Sequence, residues 1–195
     1  MPGALAPGAA LRALLAIAAM IAAATAVAGV HRSLENHRRR HTGSAEWIWY
    51  ARAGRAPKAL RFYAFREWDL PAVPRRARAL VFADPEAVLW INGARVATVR
   101  QRAGDALESV DLVPHLRAGP NRVVLETASA DGVGGLLFAA EGEGIDPKAI
   151  ASGPDWSVTL DAREAEAGRG RPAVVWGRPP QCPWGYPGPP GTDNP

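Results

Sequence analysis

The sequence predicts an all-β, antiparallel sandwich preceded by one N-terminal hydrophobic helix. Three observations lead to this. Residues 13–30 form an uncharged apolar run, residues from 46 onward break into short strand-like runs separated by Gly, Pro, Asp and Asn, and no sustained helical apolar stripe follows residue 45. The 195 residues divide accordingly into 1–30 (signal peptide or transmembrane anchor), 31–45 (basic juxtamembrane linker), 46–160 (β-sandwich) and 161–195 (Pro/Gly-rich extension). A middle segment of that size buries about two-thirds of its unfolded surface, enough for a core without disulfides. The lone Cys182 has no partner within the chain.

The N-terminal run reads ALLAIAAMIAAATAVAGV. As a helix rising ~1.5 Å per residue it spans ~27 Å, close to the apolar thickness of a bilayer. Small-x-small triplets at Ala24-Thr25-Ala26 and Ala26-Val27-Ala28 suit a signal peptidase, so a retained single-pass anchor and a cleaved export signal are both compatible with it. After it come Arg32, Arg38, Arg39 and Arg40 against one acid, Glu35, whereas only Arg12 and the amino terminus are positive before it. By the positive-inside tendency this charge balance turns the domain toward the cytoplasm. His31, His37 and His41 lie in the same stretch with no carboxylate or Cys to complete a ligand set, which makes them part of a solvated linker and gives no metal site.

The strand-like runs are 47–50, 60–68, 78–82, 87–91, 94–99, 109–112, 122–127, 136–140 and 156–160. Their short, even spacing is that of an all-β sandwich. In VLWINGARVATV, Asn92-Gly93 separates two apolar runs and suits the positive φ angles of a two-residue type I′ hairpin. Leu116-Arg117-Ala118-Gly119-Pro120 makes a second turn ahead of the apolar strand beginning at Arg122, and Pro71 and Pro74 stop the strand that ends at Trp68.

In order, the segments WIWY, RFYAFREWDLP, ADPEAVLWINGARV, VDLVPHLRAGPNRVVLE and GGLLFAAE resemble the galactose-binding-like jelly-roll module, most closely the N-terminal sugar-binding domains of α-L-rhamnosidases and of β-galactosidase or β-glucuronidase-type glycoside hydrolases. The resemblance covers residues 46–160. It implies a jelly-roll fold and a glycan as ligand, and it favours a domain facing the periplasm or cell exterior, against the charge balance around the apolar run. It also leaves room for a structural calcium ion near Glu141, Glu143 or Asp146, with no other cofactor. It does not imply a reaction, because those enzymes carry their catalytic carboxylates on a separate large barrel.

The residues themselves point to no catalytic site. Glycoside hydrolysis needs two facing carboxyl groups. Glu108, Asp111, Glu126, Asp131, Glu141, Glu143 and Asp155 mostly adjoin turns, where acids are ordinary. No G-x-S-x-G, P-loop or dinucleotide fingerprint occurs, and His115 sits in a Pro-His-Leu turn. The net charge of +4 invites a nucleic-acid partner, but the domain's basic residues are scattered beside acids and form no stripe interleaved with aromatics. Trp47, Trp49, Trp68, Trp90 and Trp156 all fall in strand-like runs, which assigns them to the core. No ligand-binding residue is therefore singled out, and loops 52–58, 100–105 and 129–134 are the expected places for a glycan. In the extension, Val174-Val175-Trp176 suits one last strand and the rest is expected to be extended or disordered, packed back as a cap or docked on a partner. The functional expectation is a non-catalytic, membrane-tethered or exported carbohydrate-binding-type module. The alternative is a structural subunit of a cell-envelope complex using sandwich and tail for protein contacts.

Overall fold

The computed structural model describes residues 7–52, 54–185 and 187; within the first helix the side chains at 7–10, 13 and 31–41, His31, His37 and His41 among them, lie outside the described set. Helix α1 (Pro7–Thr42) is followed by β1 (Trp47–Trp49), β2 (Leu60–Leu70), β3 (Ala77–Asp84), β4 (Ala87–Ile91), β5 (Ala94–Val99), β6 (Glu108–Asp111), β7 (Gly119–Ser129) and β8 (Gly135–Gly142). After these come α2 (Pro147–Ile150), β9 (Ser157–Thr159), α3 (Ala162–Glu166), β10 (Arg171–Pro172) and β11 (Val174–Gly177).

Two compact units result, one ending at Arg38 and one beginning at Arg39. In the first, α1 extends through the stretch read as a linker. No Gly or Pro interrupts 31–42, and the helix stops where Gly43 takes a φ of 56°, the left-handed conformation that commonly ends helices. Leu14, Leu15, Ile17, Met20, Ile21, Val27 and Val30 are all exposed. At ~100° per residue they surround the axis and leave no polar face. Among the described residues no helix is long and apolar enough to cross a membrane.

In the second unit, a five-stranded sheet runs β11-β1-β8-β3-β6 and a six-stranded sheet β10-β9-β2-β7-β4-β5, with every pairing antiparallel. This is the expected sandwich. Between the sheets lie Phe62 and Ala64 of β2, Ala79, Val81 and Ala83 of β3, Leu89 and Ile91 of β4, Val123 and Leu125 of β7, Leu136 and Phe138 of β8, and Trp49 and Trp156. Both sheets take a strand from beyond Leu160: β10 pairs with β9, and β11 with β1. The anticipated strand at 174–176 is thus formed, and the chain through Gly185 is folded onto the sandwich.

The Asn92-Gly93 hairpin has φ of 52° and 81°, as the sequence predicts. Asn92 also ties the hairpin to β7. Its Nδ2 donates to the His115 carbonyl (2.8 Å) and to Asn121 Oδ1 (2.9 Å), and its Oδ1 accepts from Arg122 N (3.0 Å). Buried Asn121 in turn donates to the carbonyls of Arg117 (2.7 Å) and Gly119 (2.9 Å). The two asparagines thereby lock the β4–β5 hairpin to the turn that opens β7.

Candidate functional site

Alternation along the strands decides which side chains the six-stranded sheet offers to solvent. In β2 the core takes Phe62 and Ala64, so Tyr63 and Glu67 face outward; in β7 it takes Val123 and Leu125, so Arg122, Val124 and Glu126 do. In β4, Leu89 and Ile91 point in and half-buried Trp90 points out. Strand register brings these positions side by side: Tyr63 opposite Glu126, Glu67 opposite Arg122, and Trp90 opposite Val124.

Over this face stands α3, which packs on β2 and β9. Asp161 caps its start by accepting from Arg163 N (2.7 Å) and Glu164 N (3.4 Å). Arg169 closes its end with a two-point bond to Glu164 (2.7 and 2.9 Å), which holds the Glu164 carboxyl below its usual range and the Arg169 guanidinium above its own. Arg122 ties helix to sheet, bonding Glu67 Oε1 through Nε (2.7 Å) and Nη2 and the Ala165 carbonyl through Nη1 (3.3 Å). The result is a cleft of about 510 Å³, with Tyr63, Trp90, Val124 and Glu126 in its floor, Ala162, Ala165 and Glu166 in its wall, and Asn92, Gly93, Arg117 and Pro120 at one end. Glu126 accepts from Arg61 (2.8 Å) and from the Trp90 indole N–H (3.3 Å). Aromatic faces beside charged, hydrogen-bonding side chains in a concave surface suit a small polar ligand with apolar patches of its own.

Sequence reasoning missed this face. It assigned Trp90 to the core with the other four tryptophans; Trp47, Trp49 and Trp156 are fully buried and Trp68 is 8% exposed, but Trp90 is only half-buried and lines the cleft. The signal was its place between two inward residues of an alternating strand.

The three loops favoured for a ligand gather at one end of the sandwich, where β2 starts, β5 and β7 end and β8 starts. Several of their polar groups are engaged within the sandwich. Gln101 is 7% exposed and binds Ala83 N (2.9 Å) and the Ala106 carbonyl (2.7 Å), while Arg100 pairs with Glu86 (2.6 Å). Asp131 accepts from Val133 N (3.0 Å) and the Ser129 hydroxyl (2.9 Å), and these two bonds hold its carboxyl below the usual range. A smaller cleft of about 290 Å³ lies between Asp84, Glu86, Arg100 and Arg102. The acids named for calcium do not converge. Glu141 pairs with Arg78, Asp146 caps α2 through Lys148 N (2.9 Å), and among the described residues no three His, Cys, Asp or Glu side chains are grouped to hold a metal ion.

Together these elements define an antiparallel two-sheet β-sandwich with a cleft on the outer face of its six-stranded sheet. No protein-family model and no curated protein matches the sequence. Among solved structures, the fold is similar to a region of the Streptomyces avermitilis α-L-rhamnosidase, solved with L-rhamnose (21% identity, TM-score 0.63, 76% of this chain and 16% of that one). It is likewise similar to the GH78 rhamnosidase of Bacillus sp. GL1 (22%, TM-score 0.64, 76% and 20%). The Pleurotus ostreatus lectin, solved with GalNAc, also shares it (15%, TM-score 0.57, 75% and 47%). The expected resemblance to α-L-rhamnosidases therefore holds at the level of fold, and the chain spans at most a fifth of those enzymes.

Proposed function

We propose that this chain is a non-catalytic carbohydrate-binding module whose ligand lies on the outer face of the six-stranded sheet. The observation that carries the reading is the cleft in which Trp90 stands opposite Val124 and Tyr63 opposite Glu126, beside the Arg122–Glu67 pair. Sugars present apolar C–H faces to aromatic rings and hydroxyls to planar polar groups, and this floor supplies both. A binding role suits the charged residues too, since Glu67 and Glu126 are each engaged by an arginine. The lectin likeness supports the same reading.

Although no described helix is long and apolar enough to cross a membrane, the exposed apolar residues on every side of α1 support a chain that is exported or attached at a membrane surface, with its sandwich facing the periplasm or cell exterior. Protease accessibility in intact cells tests this placement.

Calorimetry of the full chain in detergent against plant, bacterial and mucin-type glycans tests the function, with binding to at least one class expected. A chain that bound none of them but retained a stoichiometric envelope protein would overturn the reading in favour of a structural subunit.

A further inference from the structure

The cleft is longer than a single sugar needs. Outward positions of β7 from Pro120 to Glu126 run along it, a span of about 20 Å at ~3.3 Å per residue, whereas one sugar ring covers about the length of two strand residues. Arg122 lies midway along this line but leans to the β2 side, where it bonds Glu67 and the Ala165 carbonyl of α3, and so joins the wall. On the β4 side, Trp90 reaches along the floor to Glu126 (3.3 Å), and Asn92 and Gly93 continue the rim toward Pro120. Polar groups punctuate the whole length: Glu126 beside the two aromatic rings at one end, Arg122 and Glu67 midway, and Arg117 at the other end. The guanidiniums of Arg61, Arg117 and Arg122 balance the carboxylates of Glu67, Glu126 and Glu166, so charge gives neither an acidic nor a basic ligand an advantage.

From this length, and resting on the carbohydrate reading above, we infer that the cleft selects an oligosaccharide chain of about three units or more, laid along β7, over a single terminal sugar. One unit meets the aromatic end, where Trp90 and Tyr63 offer faces to its C–H groups. The following units meet Arg122, Glu67 and Arg117, which come into reach of hydroxyls one after another along the strand. A single ring would occupy only part of a cleft of about 510 Å³ and forgo either the aromatic faces or the far polar groups.

The test is calorimetry of the full chain in detergent with cello-, xylo-, chito- and galacto-oligosaccharides of one to six units, joined by the same length series from any further glycan that binds in the screen above. In a series that binds, the single sugar is expected to give no detectable heat, and affinity should rise about tenfold or more from the disaccharide to the tetrasaccharide and then level off. Arg117→Ala, an exposed change at the end away from Tyr63, should weaken the tetrasaccharide about threefold and leave the disaccharide unchanged. A single sugar that binds as tightly as the tetrasaccharide, or an Arg117→Ala variant that weakens both oligomers alike or neither, overturns the inference while the carbohydrate reading stands. Silence from every length in every series, and from the screen, removes the carbohydrate reading and the inference with it.

Discussion

The two sheets treat their outer faces in opposite ways. The six-stranded sheet alternates: β7 and β4 bury every second residue, and the remainder form a polar, aromatic cleft open to solvent. The five-stranded sheet buries both sides. In β3 and β8, Leu80, Phe82, Leu137 and Ala139 point away from the central core, yet they are buried in a second apolar cluster with Trp47, Leu107 and Trp184. The lid on that cluster comes from the C-terminal extension. Trp184 stacks on Trp47 at 4.7 Å between ring centroids, meets Trp176 edge-on at 6.1 Å, and donates its indole N–H to Asp84 (2.7 Å). One sandwich therefore seals one outer face with its own chain and leaves a cleft on the other.

If this division is right, damage to the sealed face should cost stability and little else. Trp184→Ala removes a side chain that is 3% exposed and uncovers the cluster beneath, and should destabilise the domain by about 3–5 kcal/mol, read as a fall in denaturation midpoint. Gly135→Val attacks the same contact from below, because a Cβ at Gly135 would stand 2.6 Å from the Trp184 ring. A melting temperature unchanged in both variants would mean that the extension merely rests on the sheet.

The contrast between faces was partly legible in the sequence. Only the EWDL end of RFYAFREWDL alternates polar and apolar residues, and NRVVLET carries a short Val-Val-Leu run, whereas the longer apolar runs of RALVFA and GLLFAA mark strands covered on both faces. The Asn92-Gly93 turn announced itself by composition, and the turn read at 116–120 runs into β7, which already holds its last two residues. The bonds joining Asn92 to Asn121 did not announce themselves, because they depend on strand register. The cover itself was hidden for a similar reason. A proline-rich extension carries no periodicity, so nothing in its pattern announces that Trp184 reaches Trp47, and only the unexplained apolar side of β3 and β8 asks for it. The face bearing the cleft was obscured differently: Trp90 looks like Trp47, Trp49, Trp68 and Trp156 until its neighbours' directions are fixed.

Damage to the open face should reverse the pattern. Trp90→Ala removes a half-buried ring from the cleft floor and its bond to Glu126, and is expected to cost about 1 kcal/mol of stability or less while weakening glycan binding about tenfold or more. Paired thermal melts and calorimetry separate the two quantities. A destabilisation as large as that of Trp184→Ala with affinity intact would make Trp90 a packing residue and dissolve the distinction between the faces.

The smallest effect belongs to the loop that crosses from the open sheet to the sealed one, between β7 and β8. There Asp131 accepts from Val133 N and from the Ser129 hydroxyl, and these bonds lower its carboxyl pKa from a reference of 3.8. A pKa lowered by folding means that the contribution is fully present above the unfolded value and fades as pH falls through it toward the folded one. The melting-temperature difference between wild type and Asp131→Asn should therefore hold steady from neutral pH down to about pH 4 and shrink below it. A gap that widened on acidification would mean that the loop is held by contacts other than this carboxylate, and that the crossing between the faces is set by the packing of Trp49, whose indole N–H donates to the Gly132 carbonyl at 2.9 Å.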